Sequence, residues 1–332
     1  MTFIKKMIFL PLLLLALAGC SESGSQQEYE FPDPEKEVLI ELPASWELQD
    51  ELMQDFPEGI EVYRNTTSFI GKALDAYCVV FDPKDAELEL EPALANSSTR
   101  PSQWYAAEEG TKYAAINGGF FGPNVSYSLV MDDGEVAAHN IAVLNRPFNE
   151  VNTPYYPTRG AFGITATGTP VVSWVYSVGS DIFSYPEASP NELGLAPQPQ
   201  PSASFPQGGS VWNAMDAIGG SPVLIKNGSI NITDDEELIA VDNNISRARS
   251  AIGHTSDGKV ILLAVEGNNT NGGAGLSLEE LAKLMLEMGC TAALNLDGGG
   301  STYMIVDGEE TVKASSASGE RAVMSMVFLK KR

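Results

Sequence analysis

Short apolar, β-branched runs joined by Asn-Gly and Asp-Gly steps recur along this chain, and that pattern narrows the folds open to it more than any other feature. These dipeptides supply the positive-φ residues a tight hairpin needs, so each step predicts two antiparallel neighbours. The runs are 127–131 with Asp133-Gly134, 222–226 with Asn227-Gly228 and then 229–232, and 250–254 with Asp257-Gly258 and then 259–265. Helical signals are fewer. Ser277-Leu278-Glu279-Glu280 is a capping box, followed by Leu281, Ala282, Met285 and Met288 on one face and by Gly289 as a left-handed terminator. A second helix is expected from Pro101 to about Glu109, stopping at Gly110. Hairpins with few helices, rather than alternating βαβ units, predict an α+β domain: a twisted, mixed, hairpin-rich β-sheet with a few flanking helices.

The start of the chain carries a compartment signal. Lys5 and Lys6 precede an apolar run that ends near Ala18, shorter than the roughly 20 residues a spanning helix needs but suited to a signal peptide. It closes on Leu17-Ala18-Gly19-Cys20, similar to a bacterial lipobox, so residues 1–19 are expected to be removed and Cys20 to be acylated. Two or more acyl chains hold a protein on a bilayer stably. The expectation is a bacterial membrane-anchored lipoprotein, periplasmic or on the cell surface, with the lipid bilayer as a partner through Cys20. Residues 20–40, polar and Pro-containing, form a flexible tether, and 41–332 a single catalytic domain with a surface cavity. Within that domain, 186–208 is a Pro-rich loop holding six of the chain's twenty prolines. Chemical motifs lie on both sides of it, which favours an excursion over a domain linker. Cys78 and Cys290 sit in or beside strand-like runs and read as buried free thiols, with a periplasmic disulfide as the alternative.

Charge limits the partners. Forty-four acidic against twenty basic side chains give a net charge of −24, which argues against nucleic acid. An anionic small substrate would need a few arginines focused against that mean field.

Four glycine-punctuated signatures carry the chemistry: Ala114-Ala115-Ile116-Asn117-Gly118-Gly119, Ile218-Gly219-Gly220-Ser221-Pro222, Arg247-Ala248-Arg249-Ser250-Ala251-Ile252-Gly253-His254 running on to Glu266-Gly267, and Asn295-Leu296-Asp297-Gly298-Gly299-Gly300-Ser301. In the last, an apolar strand delivers a carboxylate into three glycines that permit close backbone approach and an anion nest. Neither a phosphate-binding P-loop nor a dinucleotide fingerprint is present, because no Gly-Lys-Ser/Thr follows and no βαβ unit surrounds the Gly272-Gly273-Ala274-Gly275 run. Arg249, on a strand of an acidic protein, suits bidentate phosphate binding. Asn117 and Asn295 either satisfy backbone groups near the turns or bind sugar hydroxyls.

In their order, with the capped helix before the fourth and Glu320-Arg321 near the end, these signatures resemble the phosphodiester glycosidase family, that of the mannose 6-phosphate uncovering enzyme. The likeness runs from about Ala73 to the C-terminus and is greatest to gut-Bacteroides lipoprotein members. One departure is Glu266-Gly267, where the animal enzyme has Asp-Gly. The resemblance implies hydrolysis of the sugar C1–O bond in N-acetylglucosamine-1-phosphodiester-like glycans, in a cavity that these motifs line. For that chemistry the expected assignment is that Arg249, Arg321 and the amides of Gly298, Gly299 and Gly300 hold phosphate, with Asn117, Gly118, Gly119, Gly220, Asn295 and Ser301 on the substrate wall. Asp297 or Glu266 would face the anomeric carbon as nucleophile or water-activating base, and His254 would orient the leaving oxygen or shuttle a proton. No cofactor is required; a Mg²⁺ or Ca²⁺ held by Asp297, Glu266 and substrate phosphate is kept as the alternative. The rival functions are a metal-dependent phosphodiesterase cleaving P–O and a non-catalytic glycan-binding lipoprotein.

Overall fold

Hairpins account for most of the chain from Val38 onward. The computed structural model describes residues 38–268 and 272–332, so the signal peptide, Cys20 and most of the tether lie outside the described residues. An eight-stranded sheet runs in the order Glu47–Leu48, Ile60–Asn65, Ala76–Phe81, Val260–Val265, Arg249–Thr255, Cys290–Asn295, Val223–Lys226, Ser229–Ile230. A seven-stranded sheet runs Glu135–Ala138, Val130–Asp132, Ala214–Gly219, Arg159–Thr165, Pro170–Val178, Asp181–Tyr185, Ser210–Val211. The third, of five strands, is Glu309–Glu310, Met304–Val306, Lys112–Asn117, Val323–Lys331, Leu88–Thr99.

Every ladder among the described strands is antiparallel, where the sequence predicts a mixed sheet. The reason is the order of the strands. The two α-helices among the described residues, α1 (Pro101–Ala107) and α2 (Leu278–Glu287), do lie on crossovers between strands of like direction, but Val323–Lys331 and Arg249–Thr255 each sit between the strands so joined and pair antiparallel with both.

Both faces of the eight-stranded sheet are covered, which is why Ala76–Phe81 and Val260–Val265 are buried at every position. On one face Val79, Leu262, Leu294 and Ile252 join a core shared with Phe162 and Trp174 of the seven-stranded sheet and with Ile116 and Val327 of the five-stranded one. On the other, Cys78, Val80, Leu263 and Ala293 pack against Leu281 and Met285 of α2. Each such side chain contributes about 1.5–3 kcal/mol on burial. The capping box is formed: Ser277 Oγ accepts from Glu280 N at 3.3 Å, and Glu280 Oε2 accepts from Ser277 N at 2.9 Å. Gly289 takes φ +89° just past the helix end. The shorter α1 stops at Ala107, because Glu108 turns extended at ψ 135°.

Asp133-Gly134 and Asn227-Gly228 have both residues at positive φ, as two-residue hairpins require. At Asp257-Gly258 only the glycine is left-handed, because the loop between Thr255 and Lys259 has three residues. The Pro-rich segment leaves the seven-stranded sheet after Tyr185 and rejoins it at Ser210, and Asp181–Tyr185 pairs with Ser210–Val211. Tyr155 Oη donates to Leu195 O at 2.6 Å and so pins this excursion to the body. Cys78 and Cys290 are free thiols, and burial pushes both pKa values up.

Candidate active site

The four glycine signatures meet where strands of all three sheets end. Asp297 N donates to Gly118 O at 3.2 Å, Ser221 N to Asn295 O at 2.8 Å, Leu296 N to Ser250 O at 2.9 Å and Gly299 N to Ala248 O at 2.7 Å. Side chains would not fit between these segments. A Cβ on Gly119 would lie 2.2 Å from Gly219 O, one on Gly220 2.3 Å from Asn295 O, and one on Gly118 2.3 Å from Ser325 Oγ. Gly118 and Gly119 therefore serve the junction of the sheets, in place of the substrate cradle expected of them, and Gly220 serves it while also bordering a neighbouring hollow.

Asn117 has the same structural duty. Its Nδ2 donates to Asp297 O at 2.8 Å and Gly118 O at 3.1 Å, while its Oδ1 accepts from Ser250 Oγ at 2.6 Å and Tyr303 N at 3.1 Å. It is fully engaged in fixing the backbone of Asp297 and is not a sugar-binding group. Asn295 differs. Its Nδ2 donates to Ser221 O at 2.8 Å, but its Oδ1 is buried without a partner and the residue lines a cavity.

That cavity, of about 350 Å³, is bordered by Phe120, Asn295, Asp297 and the three glycines, with Arg247, Arg249 and Arg321 around them. Asp297 is half-buried, and desolvation pushes its pKa up to about 6 against the opposing pull of Ser301, the Gly298 amide and Arg321. Ser301 links two of these groups: it hydrogen-bonds the Asp297 carboxylate and accepts from Arg321 Nη1 at 3.2 Å. Arg321 is otherwise exposed to the cavity mouth.

The expected anion nest contracts to one amide. Gly298 N donates to Asp297 Oδ1 at 2.9 Å and Gly299 N to Ala248 O at 2.7 Å, leaving the Gly300 N–H.

Three expected roles need correction. Arg249 is 2% exposed, and four of its five N–H groups reach backbone carbonyls: Nε to Leu276 O at 2.8 Å, Nη1 to Val241 O at 3.0 Å, and Nη2 to Asp242 O at 2.9 Å and Ile245 O at 3.1 Å. No bidentate fork is left for phosphate. His254 lies on the strand that Arg249 opens, five residues along, or roughly 16 Å at ~3.3 Å per residue. It faces Lys226 and Thr255 O there, its pKa lowered by burial, and does not reach the cavity. Glu266 is buried and borders another part of the molecule. Its Oε1 accepts from Lys313 N at 3.1 Å, its Oε2 has no partner, and its charged neighbours are Asp75, Lys313 and Arg64. The structure therefore does not bring Glu266 and Asp297 together on one cavity wall.

Sequence reasoning passes over Arg247 as exposed. Its Nε pairs with Asp242 at 2.7 Å, and its guanidinium borders the cavity, two residues along an extended segment from Arg249. Phe120, which the first glycine signature runs into, is given no role by the sequence, although an aromatic at that position is the signal for a ring platform.

Among the described residues no group of three or more His, Cys, Asp or Glu side chains is placed to hold a metal ion. The cavity's carboxylates are Asp297 and the Arg247-paired Asp242. With guanidinium groups around them, this donor set does not fit the Mg²⁺ or Ca²⁺ alternative, which calls for several oxygen ligands. The arrangement suits other chemistry, in which a carboxyl poised near neutrality takes a proton or attacks carbon while arginines and an amide receive a separating oxyanion.

A family model described as phosphodiester glycosidase matches residues 110–330. Bos taurus N-acetylglucosamine-1-phosphodiester alpha-N-acetylglucosaminidase is 34% identical over 95 residues, 26% of this chain and 18% of its own length, so the match spans under a fifth of that relative. In fold, the chain is similar to the catalytic domain of the zebrafish N-acetylglucosamine-1-phosphodiester alpha-N-acetylglucosaminidase, with TM-score 0.54, 18% identity, and 87% and 89% of the two chains covered. It is also similar to a hypothetical protein from Synechocystis, with TM-score 0.57, 20% identity, and 84% of this chain and 63% of the other covered.

Proposed function

Since the chain belongs to the phosphodiester glycosidase family, we propose that it is a hydrolase of sugar-1-phosphodiesters, cleaving the C1–O bond of N-acetylglucosamine-1-phosphodiester-like glycans. The observation that carries this reading is Asp297: a half-buried carboxyl with its pKa near 6, in a cavity whose other charged groups are mainly guanidiniums.

The leaving group of such a substrate is a phosphate monoester, stable as an anion, so strong general-acid help is less necessary than for an alkoxide. That relaxes the need for a second carboxylate and suits a site without Glu266 or His254. Asp297, ionised, acts at the anomeric carbon as nucleophile or as the base for water, and Ser301 fixes its rotamer. Arg321, Arg247 and the Gly300 amide receive the charge that develops on the phosphate. Phe120 offers a flat apolar face to the ring. None of these roles calls for a metal ion.

Because the reacting form of Asp297 is the carboxylate, kcat/KM should rise with pH through an apparent pKa near 6 and level off above it. Steady-state rates on a sugar-1-phosphodiester from about pH 4.5 to about pH 8 check this. A profile falling through that range would make Asp297 an acid and reverse its role.

We also propose that Cys20 anchors the enzyme to a membrane. The full chain expressed in bacteria should sediment with membranes, whereas Cys20→Ser should appear in the soluble fraction or as an uncleaved precursor; unchanged sedimentation would end the anchor proposal.

A further inference from the structure

Next to the Asp297 cavity, and sharing Phe120 and Val241 with it, lies a second hollow of about 330 Å³. Its walls are largely apolar, from Phe120, Ile141, Leu144 and Ile239, and they carry two arginines, Arg146 and Arg159, with no carboxylate. In a chain of net charge −24 that is an unusual local balance.

Arg159 is the informative residue. It is 7% exposed, yet among the described residues its one hydrogen bond is Nη1 to Ser221 Oγ at 3.2 Å, and its Nε is buried without a partner there. Arg249, equally buried, uses four donors on carbonyls. Glu237 lies behind Arg159, but its carboxylate is occupied by Gly160 N at 2.9 Å, Val223 N at 2.8 Å, Thr233 Oγ1 at 2.7 Å, Trp174 Nε1 at 3.2 Å and Ser221 Oγ. It steadies the guanidinium charge at a distance and leaves the donors unmet.

A second unmet donor borders the same hollow. Asn140 Oδ1 accepts from Leu129 N at 2.8 Å, which fixes the amide orientation, and its Nδ2 is buried with no partner. Buried donors without acceptors are costly, and two arginines that repel each other in an apolar-walled space add to that cost. The enclosed Arg159 Nε and Asn140 Nδ2 face no ligand directly, but Arg159 Nη2 has no hydrogen-bond partner among the described residues and is not so enclosed, and with the Arg146 guanidinium it suits an oxyanion in the hollow. Beyond the arginines a further hollow contains Asp234 and Asp235, which confines the favourable position to the side nearer Phe120.

We propose that Arg159 and Arg146 form a second anion subsite beside the Asp297 cavity, and that the natural substrate bears a further phosphate or carboxylate on an apolar-faced unit adjoining the scissile phosphodiester. The subsite stands on its own donors, while the substrate class rests on the hydrolase reading above.

Titration of the ¹⁵N-labelled protein with inorganic phosphate, followed on the Arg159 Nε–H and Asn140 Nδ2–H signals, tests the site without any turnover. Both signals should shift saturably, with Kd on the order of 1 mM, and the Arg249 Nε–H, held by Leu276 O, should stay in place. Arg146→Gln lies on the Leu144–Phe148 hairpin strand, outside the buried core, and should weaken phosphate about fivefold with the fold intact. Unmoved Arg159 and Asn140 signals, or an unchanged Kd in Arg146→Gln, would overturn the subsite. Repeating the titration with acetate identifies whether phosphate or carboxylate is preferred. For the substrate class, sugar-1-phosphodiesters with an added phosphate on the sugar or on the aglycone are compared with their uncharged parents. One of the two should be preferred about tenfold in kcat/KM, and the preference should shrink toward unity in Arg146→Gln. Equal kcat/KM values across the series would overturn it. If no phosphodiester is hydrolysed at all, the hydrolase reading fails and the phosphate titration alone decides the subsite.

Discussion

Asp297→Asn should lower turnover on a sugar-1-phosphodiester by a factor on the order of 10³, the range expected when acid–base or nucleophilic help is withdrawn. The substitution keeps the shape and an acceptor for the Gly298 amide, so the turn it braces should survive. Its stability carries a further sign. The folded pKa, about 6, lies above the ordinary carboxylate value, so the unfolded chain releases this proton first as pH rises, and ionised Asp297 opposes folding above about pH 6. The asparagine variant escapes that penalty. Its Tm should match or exceed the parent's at about pH 7.5, and the difference should close toward about pH 4. A variant that keeps its activity and melts earlier would instead assign Asp297 to holding the glycine turn.

Arg249→Ala should lose activity through the fold. Removing this guanidinium strands the carbonyls of Leu276, Val241, Asp242 and Ile245, and with them the segment that shapes one cavity wall. Each unmet buried carbonyl costs about 1–3 kcal/mol, partly relieved by water, so a loss of about 3–5 kcal/mol and a fall in Tm of about 10 °C are expected. Arg321→Ala is the contrast: with one hydrogen bond, to Ser301, it should leave Tm within about 2 °C while lowering kcat/KM at least about tenfold. Were Arg249→Ala to melt like the parent yet be inactive, phosphate contact would return to it.

Local signals in the sequence read well. The capping box, the left-handed Gly289 and the Asn227-Gly228 hairpin depend on neighbours within a few residues, and all three are present. The four glycine signatures also mark the right junction, because only glycine permits the backbone approaches at Gly119 and Gly220. What they do not reveal is which side chains face the cavity and which face the protein. The carbonyls that occupy Arg249 come from residues 241–245 and from Leu276, and no local pattern announces that they fold around it. Strand spacing alone could have removed His254, since it lies five positions along the strand from Arg249. Much of the seven-stranded sheet is hard to read because its turns, at Thr167-Gly168 and Gly179-Ser180, lack the Asn-Gly or Asp-Gly marker. Arg159 is hidden with it.

Which bond breaks separates the proposed hydrolase from a phosphodiesterase. Hydrolysis of N-acetylglucosamine-1-phosphodiester in ¹⁸O-enriched water, in the presence of EDTA, followed by mass spectrometry of both products, tests it most directly. Attack at the anomeric carbon places the label in the sugar hydroxyl and leaves the phosphate monoester unlabelled, at a rate the chelator does not change. Label in the phosphate, with a rate that collapses in EDTA, would contradict C1–O cleavage and make the protein a metal-dependent phosphodiesterase.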